Sequence, residues 1–140
     1  MAKRRFKIVV DTNVLLVSIS DRSEYHWLYK GIISGDFELA LTTEILNEYD
    51  EIISKKWHPD VAKDVLRTLL ELPNIALIDI FYQLNLIAGD PDDNKFVDCA
   101  FSANAQYLVS NDRYLAVLRD IPFPKIPLVT IQEFKKIVKE

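Results

Sequence analysis

The sequence predicts an α/β fold, a three-layer α/β/α sandwich around a mostly parallel central sheet of four or five strands. Short runs rich in β-branched and aliphatic residues alternate along the chain with longer segments of helical periodicity. The first run, Phe6–Val10, is apolar on both faces, as expected of a parallel strand covered by helices on each side. The chain has 140 residues and no linker-like stretch, so residues 1–140 are predicted to form one domain.

The other elements follow from periodicity and from the residues that begin or end them. Helical periodicity runs from Asn13 to about Ser34, with a break expected in the polar stretch "SDRSE". Thr43 is expected to cap a helix that ends at Trp57, and a further helix follows Pro59. The remaining strands are predicted at Phe37–Thr42, Asn74–Ile80, Gln106–Ser110 and Pro127–Thr130. The remaining helices are predicted at Pro91–Asn104, Asp112–Asp120 and Ile131–Glu140.

Composition and charge bound the location and the partners of the protein. The net charge is −4, from 21 acidic and 17 basic residues, which is unfavourable for binding nucleic acid unless several acids surround a metal ion. The single cysteine, Cys99, cannot form an intramolecular disulfide. The first apolar run is cut short by Asp11, and no apolar stretch reaches the roughly 18 residues of a membrane span. We therefore expect a soluble, cytoplasmic protein.

Two acids, Asp11 and Asp112, directly follow the ends of predicted strands. Ligands of parallel α/β sheets bind beyond the carboxyl ends of the strands, near the point where the strand order reverses. An aspartate in this position also suits the N-cap of the next helix. The segments "DTN" and "SND" give both acids similar neighbours, however, and this similarity indicates a shared site.

A third acid, Asp93, lies at the start of the helix predicted from Pro91. At about 100° per residue, one face of this helix is apolar and holds Phe96, Val97, Cys99, Ala100, Phe101 and Ala103. Asp93 falls about 30° from the middle of that face. A carboxylate there is costly unless it is paired or binds a cation, although it also suits the helix dipole. Asp98 is expected in solvent, and Asp90 and Asp92 lie at the edge of the same turn.

The helix after Thr43 offers a fourth acid, although its geometry leaves two candidates. Glu48 and Asp50 lie at the two boundaries of its apolar face, whereas Glu44 and Glu51 point into water. Boundary acids are often simply solvated. Helix geometry does not choose between Glu48 and Asp50.

Converging carboxylates need a cation, because they otherwise raise one another's pKa. Hard oxygen ligands select Mg²⁺ or Mn²⁺, which can assist phosphodiester hydrolysis. The two histidines lack zinc-ligand spacing, and no glycine-rich phosphate loop is present in the sequence. Four polar side chains are expected to orient the acids by hydrogen bonds: Thr12, Asn13, Ser110 and Asn111. Lys95, Arg113 and the basic stretch "KRR" are candidates to meet phosphates, or are solvated charges.

Four segments in order resemble the motif regions of PIN-domain ribonucleases: "IVVDTNVLL", "LTTEILNEY", "DPDDNKFVDCA" and "ANAQYLVSNDRYL". The resemblance extends from Lys7 to about Phe134, and "DPDDNKF" is similar to the branch of toxins from toxin–antitoxin pairs. It implies a PIN-like parallel sandwich, Mg²⁺ or Mn²⁺, an RNA substrate and, commonly, a homodimer and an antitoxin partner. The family's catalytic, metal-binding acids fall on Asp11, Glu48, Asp93 and Asp112. The resemblance thus selects Glu48 over Asp50.

The sequence therefore predicts a metal-dependent endoribonuclease, the toxin of a toxin–antitoxin pair. One alternative is a phosphoacceptor signalling domain with Asp79 as acceptor, but that class needs two acids after the first strand and this chain has one. The other is a PIN-like binding module without catalysis, against which the four intact acids argue. The sequence leaves open the RNA target, the number of metal ions and whether Asp90 or Asp92 assists.

Overall fold

The computed structural model describes residues 5–139 of the chain. The strands are β1 (Phe6–Val10), β2 (Phe37–Leu41), β3 (Ile75–Leu77), β4 (Tyr107–Val109) and β5 (Leu128–Val129). The helices are α1 (Thr12–Ile19), α2 (His26–Ile33), α3 (Thr43–Lys56), α4 (Pro59–Glu71), α5 (Asn94–Ala103) and α6 (Ile131–Lys139), with 3₁₀ segments at Pro91–Asp93 and Leu115–Asp120. Lys3 and Arg4 of the basic stretch, and Glu140 of the predicted last helix, lie outside the described residues. None of the helices within residues 5–139 has the length and apolarity that a membrane span requires.

The five strands form one parallel sheet in the order β3-β2-β1-β4-β5. The chain leaves β1 towards β2 and β3, and then returns to the other side of β1 to form β4. Right-handed crossovers in opposite directions place their helices on opposite faces of the sheet. The predicted α/β sandwich with a parallel sheet is therefore confirmed. The reversal lies between β1 and β4, where Val10 is paired with Val109, so Asp11 and Ser110 follow side by side.

The structure corrects several predicted boundaries. Thr42 rather than Thr43 caps α3, because its Oγ1 accepts a hydrogen bond from the N–H of Ile45 at 3.1 Å. The third strand stops at Leu77 instead of Ile80, since the chain then leaves the sheet towards α5. The segment predicted as a helix from Asp112 contains only 3₁₀ turns. The break expected between the first two helices is present.

Asp98 was predicted to be solvated, and the structure shows that this was wrong. Its side chain is only 7% exposed, and its Oδ1 accepts the N–H of Leu84 at 3.1 Å. The irregular segment 78–90 lies over this side of α5, and a helical projection of the sequence contains no sign of such a cover. Burial raises the pKa of Asp98. Conversely, Phe101 was assigned to the apolar face of the helix but is 40% exposed.

A buried tyrosine connects α3 to the end of β1. The hydroxyl of Tyr49 donates to the carbonyl oxygen of Val10 at 2.5 Å, and the side chain is fully buried. Val10 precedes Asp11, and Tyr49 follows Glu48. This one contact therefore holds the helix that carries Glu48 beside the strand that carries Asp11.

Replacing Tyr49 with phenylalanine should lower the free energy of unfolding by about 1 kcal/mol, because a buried carbonyl oxygen loses a donor. Urea unfolding followed by circular dichroism measures this difference. Tyr82→Phe is the matched control, since that ring is largely exposed and should give no change. Equal stabilities for the two variants would show that the Tyr49 hydroxyl does not hold α3 to β1.

Candidate metal centre

The four acids selected by sequence all line one cleft of about 180 Å³ at the carboxyl edge of the sheet. Asp11 follows β1, Asp112 follows β4, Asp93 precedes α5, and Glu48 projects from α3. Asp50, the other boundary acid of α3, is exposed and does not line this cleft. The structure thus brings together side chains that are up to 101 positions apart in the sequence.

Asp11 caps α1 and also faces the cleft. Its Oδ1 accepts the N–H of Val14 at 2.9 Å, and its Oδ2 accepts the hydroxyl of Ser110. Burial raises the pKa of Asp11 in spite of these two hydrogen bonds, and the charges of Asp112 and Glu48 act in the same direction. Capping and a place in the site are therefore compatible at this position.

Ser110 joins the two acids that follow the central strands. Its hydroxyl donates to Asp11, while its Oγ accepts the N–H of Asp112 at 3.0 Å. Asp112 in turn accepts the N–H of Tyr114 at 2.8 Å, which fixes its carboxylate at the start of the following turn. A single small hydroxyl residue thus binds the carboxylate of Asp11 and the backbone of Asp112.

The other three side chains expected to orient the acids differ in their contacts. The hydroxyl of Thr12 donates to Oε2 of Glu48. Asn13 is exposed at the rim of the cleft. The Oδ1 of Asn111 accepts the N–H of Ile131 at 3.1 Å and so holds the start of α6. Among residues 5–139, this oxygen contacts none of the acids.

Three carboxylates in the cleft approach one another closely. Asp90, Asp93 and Asp112 each offer an oxygen, and these oxygens lie within 4.8 Å of one another. The Asp93 side chain is 9% exposed, and its Oδ2 is buried without a hydrogen-bond partner among residues 5–139. Burial raises the pKa of Asp93 to about 8, with further contributions from Asp112, Asp90 and Asp11. Asp93 has no basic partner among residues 5–139, so it keeps its proton at neutral pH unless a cation binds beside it.

Asp90 was only a weak candidate from the sequence. Its side chain accepts the N–H of Asp92 at 3.2 Å and caps a 3₁₀ turn that precedes α5. The sequence projection assumed an α-helix from Pro91 onwards, and the tighter turn changes the directions of the first side chains. The run "DPDD" was the available signal, but its turn type was not readable from composition.

The donor set fits a hard divalent cation. Asp90, Asp93 and Asp112 offer three carboxylate oxygens within 4.8 Å of one another. The Oδ2 of Asp93 is buried without a hydrogen-bond partner among residues 5–139, so it is available as a ligand. No histidine or cysteine lines the cleft within the described residues, so the ligands available are oxygen atoms. Oxygen ligands of this kind suit Mg²⁺ or Mn²⁺.

Glu48 differs from the other acids because it has a basic partner. Lys95 Nζ lies 2.7 Å from Oε1 of Glu48 and 3.2 Å from Oδ1 of Asp92. Only 11% of the Lys95 side chain and 20% of the Glu48 side chain are exposed. Burial alone would lower the pKa of Lys95, but the hydrogen bonds and charges of Glu48 and Asp92 raise it. Lys95 itself lines a neighbouring cleft, but its charged ammonium contacts two acids of the acid cleft, so it is not a solvated surface residue.

The parallel sheet and its cleft of acids define the class of protein. It is an α/β protein with a site of carboxylates at the point where the strand order reverses. The sequence model of the PIN domain matches residues 7–114. The chain therefore belongs to the PIN-domain family, as the motif resemblance predicted. Nucleases with PIN domains are hydrolases.

Comparison with known proteins supports the same fold. The chain is 25% identical to the uncharacterized protein MJ1680 of Methanocaldococcus jannaschii, over 99% of this chain and 97% of that protein. The structure is similar to VapBC2 of Rickettsia felis bound to a promoter DNA fragment (TM-score 0.60, 20% identity, 89% of this chain and 98% of that one). It is also similar to FitAcB of Neisseria gonorrhoeae, with a TM-score of 0.55 and 15% identity over 89% of this chain and 98% of that one. For the PIN domain endonuclease Utp24, the TM-score is 0.52 and the identity is 15%, over 89% of this chain and 84% of that one.

Asp93→Asn should stabilise the metal-free protein, increasingly so at higher pH. The pKa of Asp93 is about 8 when folded against an ordinary value of 3.8, so the unfolded chain releases this proton first. The free energy of unfolding therefore falls as the pH rises from about 4 to about 8. A difference of even one pKa unit between the folded and unfolded states corresponds to about 1.4 kcal/mol of stability. At roughly 2 °C or more per kcal/mol, the Tm of the variant should exceed that of wild type by at least about 2 °C at pH 8.

Thermal unfolding in EDTA at several pH values between 4 and 8 measures this difference. The matched control is Asp64→Asn, since Asp64 is exposed on α4 and far from the acids in sequence. A Tm gain that is the same at pH 4 and pH 8, or absent at both, would contradict the account of Asp93.

Proposed function

We propose that this protein is a metal-dependent endoribonuclease and the toxin of a toxin–antitoxin pair. The observation that carries the proposal is the buried Oδ2 of Asp93, which has no partner among residues 5–139 and belongs to a trio of converging carboxylates. Burying such an oxygen is costly unless a cation compensates it. A site of this kind on a PIN domain supports metal-assisted hydrolysis of a phosphodiester.

The proposed catalytic and metal-binding acids are Asp11, Glu48, Asp93 and Asp112. We add Asp90 to this proposal, because it lines the same cleft and offers an oxygen within 4.8 Å of those of Asp93 and Asp112. A bound Mg²⁺ or Mn²⁺ would polarise the phosphodiester, activate water and stabilise the leaving oxygen. Asp90, Asp93 and Asp112 offer the closest set of oxygens for the ion. Asp11, held by Ser110 and the N–H of Val14, has an acceptor of fixed orientation beside them.

Two basic side chains are available for the phosphates of the substrate. Arg113 follows Asp112 directly, is exposed, and its guanidinium lies 5.1 Å from the centre of the Tyr114 ring. Lys95 contributes a largely buried ammonium on the Glu48 side of the cleft. These cations, together with the bound ion, offset the local negative charge that would otherwise repel RNA.

The toxin role is supported by the resemblance of "DPDDNKF" to the toxin branch and by the fold shared with VapBC2 and FitAcB. An antitoxin that covers the cleft would restrain the enzyme, and a homodimer is the proposed assembly. RNA as substrate and the absence of any disulfide partner for Cys99 favour the cytoplasm. Residues 1–140 are proposed to act as one nuclease domain.

The phosphoacceptor alternative is not favoured by the geometry. Asp79 is exposed and lines a neighbouring cleft of about 410 Å³ rather than the cleft of the four acids. The cleft of Asp79 also contains Glu44, Asp92 and Asp98, but the converging carboxylates of Asp90, Asp93 and Asp112 that would hold a metal ion do not line it. A binding module without catalysis differs from the nuclease only in its activity, so an activity measurement decides between them.

Wild type should cleave labelled single-stranded RNA in Mg²⁺ or Mn²⁺ but not in EDTA. Asp93→Asn should reduce kcat by roughly 10²-fold or more, because it removes an anionic ligand from the electrostatic centre of the reaction. Asp64→Asn should retain wild-type activity. A labelled DNA strand of the same sequence tests the preference for RNA.

Cleavage that survives both EDTA and Asp93→Asn would contradict the proposed site. A folded wild type that cleaves no RNA from a pool of varied sequences would instead favour the binding module. Gel analysis of labelled ends distinguishes internal cuts from stepwise removal of terminal nucleotides.

A further inference from the structure

The ion pair between Lys95 and Glu48 lies at the border between the acid cleft, which Glu48 lines, and the neighbouring cleft of about 410 Å³, which Lys95 lines. It makes the Glu48 end of the acid cleft electrostatically different from the rest. At one end, Asp90, Asp93 and Asp112 have oxygens within 4.8 Å of one another. At the other end, the Lys95 ammonium lies 2.7 Å from Glu48 and 3.2 Å from Asp92. The first end lacks a positive charge among the described residues, whereas the second already contains one.

Both carboxylate oxygens of Glu48 are engaged by the protein. Oε1 accepts the ammonium of Lys95, and Oε2 accepts the hydroxyl of Thr12. A divalent ion that approached Glu48 closely would meet an ammonium already in contact with the same carboxylate. Like charges at such short distances repel strongly where water is largely excluded. Glu48 is therefore a poor metal ligand as long as Lys95 is in place. This revises the metal-binding role proposed for Glu48 above, because Glu48 then serves the site by holding Lys95.

We infer that the Lys95 ammonium takes the place of a second metal ion at the Glu48 end, so that the cleft binds one divalent ion. This inference rests on the proposed nuclease function, and it assigns a separate task to each half of the site. The single ion binds at Asp90, Asp93 and Asp112. Lys95 is a built-in monovalent cation, and Glu48 and Thr12 hold it in position.

The chemistry of the ammonium suits this task. In two-metal nucleases the two cations lie about 3.5–4 Å apart and share the charge of the reacting phosphate. An ammonium has three N–H donors, and in Lys95 two of them are matched by Glu48 and Asp92. The Asp92 side chain is largely exposed, so exchanging it for a phosphate oxygen costs little burial. Lys95 can then bind the substrate phosphate without leaving Glu48.

The test counts the Mn²⁺ ions bound per chain by isothermal titration calorimetry of the metal-free protein, in the absence of RNA. Wild type should bind one ion. Lys95→Met should bind two, because Glu48 then lacks a cation and its Oε1 is free. The double variant Lys95→Met/Glu48→Gln should return to one, which locates the extra ion at Glu48. Lys95→Arg keeps the charge and should bind one, as should Lys125→Met, a matched control on an exposed lysine.

A wild type that binds two Mn²⁺ ions, or none, would overturn the inference. So would a folded Lys95→Met that still binds one. Lys95→Gln replaces Lys95→Met if that variant does not fold. It removes the same charge and leaves a shorter, neutral side chain beside Glu48, so it should also bind two ions. Because the count needs no substrate, a one-ion protein that cleaves no RNA would refute the nuclease proposal alone. An RNase that binds two ions would refute the inference alone.

The RNA assay gives a second, independent readout of Lys95. At saturating Mn²⁺, Lys95→Arg should stay within about tenfold of the wild-type kcat, whereas Lys95→Gln should lose roughly 10²-fold. Equal losses for the two variants would show that the shape of the side chain matters and its charge does not, and this would overturn the role given to Lys95.

Discussion

The mutual repulsion of carboxylates at the carboxyl edge of the sheet is the constraint on which the rest of the site depends. The strand order places the ends of β1 and β4 side by side, so Asp11 and Asp112, which follow these strands, lie at the same point of the sheet edge. The 3₁₀ turn before α5 then adds Asp90 and Asp93. Close carboxylates at the margin of an apolar core destabilise the protein unless positive charge or N–H and O–H donors offset them.

The chain meets that constraint differently for each acid. Hydrogen bonds from Ser110 and Val14 stabilise Asp11, and Lys95 with Thr12 stabilises Glu48. Asp93 receives neither a donor for its Oδ2 nor a basic partner among residues 5–139. The raised pKa of Asp93 is the consequence, with burial as its largest cause. The acids without a basic partner among residues 5–139 are thus grouped at one end of the cleft, where a cation would displace the proton that Asp93 otherwise keeps at neutral pH.

The sequence predicted features that depend on neighbouring residues better than features that depend on residues far apart in the chain. Phe6–Val10 was placed correctly because composition alone marks a buried parallel strand. Asp93 is buried, as its projection onto a helix from Pro91 indicated, although the turn that carries it is 3₁₀ and not α-helical. Asp98 was misplaced because segment 78–90, which buries it, has no regular structure and no periodic signal. The pairing of Lys95 with Glu48 joins side chains 47 positions apart and depends on how α3 and α5 pack, so no local pattern contained it.

The measurement that tests the central claim most directly is anomalous diffraction from crystals of the wild-type protein soaked in MnCl₂. The account predicts one anomalous peak within bonding distance of Asp90, Asp93 and Asp112, with the Oδ2 of Asp93 as a ligand. It also predicts that Lys95 remains in contact with Glu48. A cleft without a peak, in which Asp93 Oδ2 is hydrogen-bonded to protein or water, would contradict the claim that these acids converge to bind a cation.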